Sequence, residues 1–148
     1  MHARVFEVET EKGYLKDYSS DLPEWWVNTY SDWYDEEEEV DSKESLEWLA
    51  EMVDVKDGVV DFGGEKAARK LEEQYEKMRE RARDLLSLSL EDFKGYAGLD
   101  KVHLLSTEVE DKFSHWFYID GCDMATLDEM LHRGDKLHLT GRTWDYHW

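Results

Sequence analysis

Residues 3–10 read ARVFEVET, and their side chains alternate with the two-residue period of a β-strand. A second long segment of this kind, Lys136–Trp148, carries Gly141 as a candidate bulge. These segments lie near opposite ends of the chain, so together they predict an antiparallel sheet built from the terminal segments. With the helices predicted between them, they indicate an α+β fold in which this sheet packs against three or more helices.

Shorter apolar runs predict further strands between these two segments, each bounded by turn residues. A run of this length cannot by periodicity alone be told from a buried piece of helix, so turn signals decide the interpretation. The predicted short strands are Tyr14–Tyr18, Val59–Phe62, Val102–Thr107 and Phe113–Asp120, with turns at Lys56-Asp57-Gly58, near Glu110-Asp111-Lys112 and at Asp120-Gly121.

Five segments carry helix signals, and the clearest runs from Glu65 to Leu86. Its apolar residues recur at spacings of 4, 3, 4 and 3, which is typical of an amphipathic helix. The pattern leaves open whether this helix packs within the chain or against a second copy, so a homodimer is one expectation. The other predicted helices start at Asp21 with Pro23 in the first turn, at Asp41 with Glu44 at capping-box spacing, at Ser89, and at Met124 (through His132).

A chain of 148 residues with 41% apolar residues is long enough to bury a core, and we expect a single domain over residues 1–148. The one cysteine, Cys122, has no internal partner for a disulfide, which favours a reducing compartment. The first residues lack the apolar region of a signal peptide, and no stretch approaches the ~20 apolar residues of a membrane span. We therefore expect a cytoplasmic protein, in a bacterial host cell, that does not bind membranes.

The net charge of −19 is unevenly distributed along the chain. Residues 1–65 hold 20 acidic and 5 basic side chains, whereas residues 66–148 hold 17 acidic and 13 basic ones. Direct nucleic-acid binding through the first part is disfavoured, because that affinity comes mainly from Lys and Arg. A basic protein is the expected partner.

The densest charge lies in residues 32–41, DWYDEEEEVD, where seven of ten positions are carboxylates. As a helix this stretch would present one charge per roughly 2 Å, comparable to the ~1.7 Å spacing along B-DNA. Repulsion between its i+3 and i+4 neighbours would cost about 1.5–3.5 kcal/mol before screening, which a solvated loop would relieve. The candidate partner-binding carboxylates are Asp32, Asp35, Glu36, Glu37, Glu38, Glu39, Asp41, Glu44 and Glu47.

Three tryptophans stand beside this acidic stretch: Trp25, Trp26 and Trp33. Tryptophan is enriched among the residues that dominate interface energetics, so these three are candidate anchors for a partner. Each could instead belong to a core, since a helix here needs a buried face.

Enzyme chemistry has little support in the sequence. His138-Leu139-Thr140 resembles one H-x-T element of the two-histidine phosphoesterases, but those enzymes need two and no second one is present. The residues around Asp120–Asp123 and His132 have metal-ligand types without a recognised spacing, and Asp123 is expected to cap a helix. We predict a non-enzymatic protein with no cofactor and no metal.

These observations favour an acidic inhibitor that binds the basic nucleic-acid-binding surface of another protein and imitates a nucleic acid. By analogy of composition, such proteins occur among phage-encoded anti-defence factors, including anti-CRISPR proteins, so a nuclease or a CRISPR effector is the expected partner. An immunity protein, which would neutralise a basic nuclease toxin, is favoured by the same acidic charge. A small phosphoesterase or nucleotide-binding factor using His138 and Thr140 is the alternative from a different class.

Overall fold

The computed structural model of the protein describes residues 2–16, 20–106 and 115–147. The chain divides into two compact units, which we call the sheet unit (residues 1–68 and 113–148) and the helical unit (residues 69–112). The expectation of a single domain stays a prediction.

The sheet unit is built on seven strands within the described residues, and the first and last of them pair near its centre. The strand order is β3-β4-β7-β1-β5-β6, and β2 pairs with the far end of β7. All pairings are antiparallel except β1 with β5. The strands are β1 (His2–Glu9), β2 (Trp33–Glu36), β3 (Asp54–Lys56), β4 (Val59–Asp61), β5 (Trp116–Ile119), β6 (Asp123–Thr126) and β7 (Lys136–His147).

Strands β1 and β7 form the predicted antiparallel pair of terminal segments. Their register places Val5 opposite Trp144 and shifts between Phe6 and Val8, so the pairing is irregular there. Gly141 lies in the shifted part of β7 with a φ of 94°, a conformation that favours glycine. The sequence placed the interruption of this strand at the same residue.

Six helices accompany the sheet in the part of the chain that is described, and the α+β class is confirmed. Helix α3 has the bounds predicted from its period. The helices are α1 (Glu24–Tyr30), α2 (Glu39–Met52), α3 (Glu65–Leu86), α4 (Leu90–Lys94), α5 (Tyr96–Ser106) and α6 (Leu127–Arg133).

The two faces of the sheet carry different residues because successive strand side chains point to opposite sides. On one face, Ala3, Val5, Trp144 and Tyr146 form a core cluster with Trp26 of α1. On the other face, Phe6 stacks on Phe117, with ring centroids 5.5 Å apart. His2, Arg4, Thr143, Asp145 and His147 alternate with the core residues along β1 and β7, so they share the second face, and α2 packs against β7.

The helical unit contains α3 from Arg69 onward, α4 and α5. A short helix is present where one was predicted from Ser89, and the Ser89 hydroxyl caps it by accepting from the Asp92 N–H. Two of the regularly spaced apolar residues of α3, Tyr75 and Met78, are 50% and 46% exposed.

Two predicted strands are wrong. The first, Tyr14–Tyr18, is a turn over its described residues, because the buried carboxylate of Glu9 accepts hydrogen bonds from the Gly13 and Leu15 N–H groups. The second, Val102–Thr107, forms the last turns of α5 as far as Ser106. Its leucines favour a helix, because leucine has a high helix propensity. The turn predicted near Glu110-Asp111-Lys112 lies outside the described residues.

Three predicted helix starts are displaced. Asp21 does not cap α1, whose N-cap is Pro23, because its carboxylate accepts from the Leu22 N–H and the Tyr34 hydroxyl. Helix α2 begins at Glu39, so Asp41 lies in its first turn and is no cap. The predicted helix Met124–His132 splits into β6 and α6, because Thr126 and Glu129 form a capping box and Asp123 caps its neighbour's N–H instead.

Candidate functional site

The acidic stretch DWYDEEEEVD is neither one helix nor a loop. Residues Trp33–Glu36 form β2, which pairs with β7, and α2 begins three positions later at Glu39. In a strand, side chains three and four positions apart are not close neighbours as they are in a helix, so much of the expected repulsion is absent. Pairing with β7 holds the stretch in place by backbone hydrogen bonds.

A cleft of about 670 Å³ opens on the second face of the sheet, beside this stretch. Strands β1, β2 and β7 and helix α2 all contribute to its wall, and we call it the acidic cleft. Its lining residues are His2, Arg4, Trp33, Asp35, Glu36, Glu37, Glu38, Asp41, Glu44, Ser45, Trp48, His115 and Asp145.

Glu37 lies at the inner side of the acidic cleft with its side chain only 7% exposed. Its carboxylate accepts hydrogen bonds from the hydroxyls of Ser45 at 2.7 Å and Thr143 at 2.5 Å, and it pairs with Arg4 Nε at 2.9 Å. Arg4 also donates to Asp145 at 2.5 Å. Glu37 is therefore a structural carboxylate that ties α2 to the sheet.

Glu36 points to the other face of β2 and pairs with Arg142 through two hydrogen bonds of 2.7 and 3.0 Å. Those bonds to the guanidinium lower the pKa of the Glu36 carboxyl, and the same bonds raise the pKa of Arg142. Arg142 also pairs with the buried Glu7, and its guanidinium carbon lies 4.7 Å from the centroid of the Trp144 ring.

One histidine–aspartate pair, His2 with Asp145, lines the acidic cleft, and a second pair lies next to it. His147 Nδ1 lies 2.8 Å from Asp32, and His2 Nδ1 lies 3.1 Å from Asp145. The rings of His2 and His147 meet edge to face at 5.3 Å, and His2 meets Trp33 at 6.2 Å. Asp32 is thus engaged by a residue of its own chain.

The remaining candidate carboxylates are exposed and uncompensated. Across the described residues, no ion pair or hydrogen bond involves the side chain of any of them. Four of them, Asp35, Glu38, Asp41 and Glu44, line the acidic cleft, and two, Glu39 and Glu47, lie outside it.

The tryptophans divide between core and surface. Trp26 is fully buried in the core cluster, so it is not available to a partner and we do not retain it as an anchor. Trp33 is 49% exposed and lines the acidic cleft, whereas Trp25 is 54% exposed and does not. A further residue, Trp48, is 37% exposed and lines the cleft with its ring 4.1 Å from that of His115.

Sequence reasoning missed Trp48, although a signal for it existed. Asp41, Glu44 and Trp48 recur at i, i+3 and i+7, which places them on one face of α2. The contributions of His2, Arg4, His115 and Asp145 had no local signal, since strands far apart in sequence bring them to the cleft.

The H-x-T element does not join this site. Thr140 donates its hydroxyl to Glu7 at 2.7 Å, and His138 lies on β7 opposite Glu9 and Val59. Neither lines the acidic cleft. In the described part of the chain, no group of three or more His, Cys, Asp or Glu side chains is placed to hold a metal ion.

No protein-family model, curated protein or solved structure gives a significant match to this chain. Of the helices in the described residues, none combines the length and apolar character needed to cross a membrane.

Proposed function

We propose that the acidic cleft is a docking surface for a basic protein, and that the protein inhibits a nucleic-acid-handling partner by occupying its basic surface. The partner class that fits best is a nuclease or a CRISPR effector of a bacterial cell.

One observation carries this proposal: some carboxylates of the cleft are paired with arginines, whereas others face solvent. Glu36 and Glu37 pair with arginines of the same chain, whereas Asp35, Glu38, Asp41 and Glu44 face solvent and pair with no cation among the described residues. These four carboxylates line one cleft, so cationic side chains of a basic partner would meet several acceptors together there.

The whole-chain charge supports the same partner class. A net charge of −19 creates a negative potential that speeds encounter with basic proteins and opposes encounter with phosphate backbones. Such steering weakens as salt rises, because the Debye length falls from about 10 Å at 0.1 M to about 3 Å at 1 M.

The experiment is affinity purification of the tagged protein from bacterial lysate at low and high salt, followed by mass spectrometry. We expect a basic nuclease or CRISPR effector at low salt and weaker recovery at high salt. A nuclease toxin among the captured proteins would instead indicate an immunity protein.

Charge reversal locates the docking surface. A variant with Glu38, Asp41 and Glu44 changed to Lys should lose the partner, because placing like charges across an interface costs several kcal/mol. The matched control changes Glu72, Glu76 and Glu80 of α3 to Lys, which alters the net charge equally but leaves the cleft intact. Capture of only neutral or acidic proteins regardless of salt, or equal loss in both variants, would contradict the proposal.

A further inference from the structure

The acidic cleft offers aromatic faces as well as charge. Trp33 and Trp48 both line it and are 49% and 37% exposed, although indole rings are usually well buried. A cation placed over the face of a tryptophan is attracted by the ring's quadrupole, and carboxylates nearby add to that attraction. The combination therefore recognises an organic cation more specifically than a cluster of carboxylates would.

The cleft is also large enough for such a group. Its volume of about 670 Å³ lies within the roughly 300–1,000 Å³ of typical ligand pockets, which exceeds what a single inorganic ion needs. A long side chain entering from a partner's surface would reach both the carboxylates of α2 and the exposed indoles.

The same chain already holds one guanidinium group between these residue types. Arg142 lies over the ring of Trp144 while making two hydrogen bonds to Glu36. This arrangement uses the planar donor fork of arginine, which fits carboxylate oxygens two at a time and stacks on aromatic faces as lysine does not. Arg4, which lines the cleft itself, pairs with the carboxylates of Glu37 and Asp145.

We propose that the acidic cleft binds an arginine side chain of its basic partner, with the guanidinium against the indoles of Trp33 and Trp48. The carboxylates of Asp35, Glu38, Asp41 and Glu44 accept its hydrogen bonds. This inference rests on the proposed function and refines it, because it names arginine over lysine as the residue that the docking surface selects.

Isothermal titration calorimetry with two peptides of equal length, an oligoarginine and an oligolysine, tests the selection. We expect the oligoarginine to bind about tenfold more tightly at 0.15 M salt, from cation–π attraction and bidentate hydrogen bonding. The indole N–H signals of Trp33 and Trp48 should shift in NMR spectra of the native protein when the oligoarginine is added.

Substitution of the indoles gives the matched comparison. Trp48→Leu and Trp33→Leu should each reduce the arginine preference severalfold while leaving oligolysine binding nearly unchanged. Trp25→Leu removes an indole that is more exposed than either but lies outside the cleft, and it should keep the full preference. The urea midpoint of each variant checks that the fold is intact.

The outcomes separate this inference from the proposed function. Equal affinity for the two peptides, or loss of preference in Trp25→Leu alone, would overturn the arginine selection and leave the docking of basic proteins standing. If neither peptide bound at low salt, both proposals would be wrong.

Discussion

At the scale of single residues, neighbouring glutamates with the same side chain have opposite roles. Glu37 is nearly buried and accepts hydrogen bonds from Ser45 and Thr143, whereas Glu38 next to it is exposed and lines the acidic cleft. Composition alone cannot distinguish them, because the distinction comes from Arg4 and Thr143, which lie far away in the sequence. Part of the acidic stretch therefore holds the fold together, and part of it lies exposed in the acidic cleft.

Replacing Glu37 with Gln should destabilise the protein by about 2 kcal/mol, because the partly buried Arg4 would lose one of its two carboxylate partners and the hydroxyls of Ser45 and Thr143 would lose a charged acceptor. The matched change Glu38→Gln should alter the free energy of unfolding by less than about 0.5 kcal/mol, as expected for an exposed side chain. Urea denaturation of the two variants measures this difference. Equal stability of both would show that the network around Glu37 contributes nothing to folding.

Tyr146 should make the stability of the protein depend on pH in the alkaline range. Burial in the core raises the pKa of its hydroxyl well above the ordinary value of 10, so the native state keeps the proton while the unfolded chain loses it. Its contribution to stability is therefore full below pH 10 and declines as the pH rises above 10. Tyr146→Phe should lose stability more slowly than the native protein above pH 10, and urea midpoints across that range measure the difference. Parallel pH profiles for the two proteins would contradict this expectation.

At the scale of elements, the sequence predicted those whose pattern is long enough to be distinctive. Helix α3 has the predicted bounds because its apolar period persists over about four turns, and β1 and β7 were predicted because their alternation is long. The wrong strand at Val102–Thr107 was a short apolar run that fits helix or strand equally. Strand β2 was missed because its pairing with β7 is a tertiary event with no local signature.

The boundary between β6 and α6 provides a test at this scale. Thr126→Ala should destabilise the protein by about 1 kcal/mol, because it removes one half of the capping box with Glu129. Asp123→Ala, at the residue that the sequence indicated as the cap, should have a smaller effect, since its ion pair with Arg133 is long and exposed. Thermal unfolding of the two variants compares them. A larger effect at Asp123 would show that the helix starts there in solution.

At the scale of the whole molecule, the excess of negative charge should affect folding as well as the proposed docking. The sequence predicted the acidic surface but not the acidic cleft, because the cleft requires β1, β2, β7 and α2 to meet. Three side chains that pair with part of the acidic stretch, those of Arg4, Arg142 and His147, come from the two ends of the chain. Charge counts along the sequence therefore overestimate the number of carboxylates open to a partner.

Raising the sodium chloride concentration should stabilise the protein, because a net charge of −19 favours expansion until it is screened. The variant with Glu38, Asp41 and Glu44 changed to Lys moves the net charge by six, from −19 to −13, and should gain less from the same salt. Urea midpoints at low and high salt measure both gains. A midpoint that falls with salt in the native protein would show that specific ion pairs outweigh the general repulsion.

The position of β1 between β5 and β7 has a consequence during synthesis. When β1 leaves the ribosome, its apolar residues Val5, Phe6 and Val8 are exposed. The native partner of His2, Asp145, is translated only 143 positions later. Throughout that interval both edges of β1 lack their native neighbours and are open to aggregation. The carboxylates translated soon afterwards keep the unfinished polypeptide strongly anionic, and repulsion between like-charged chains opposes their self-association.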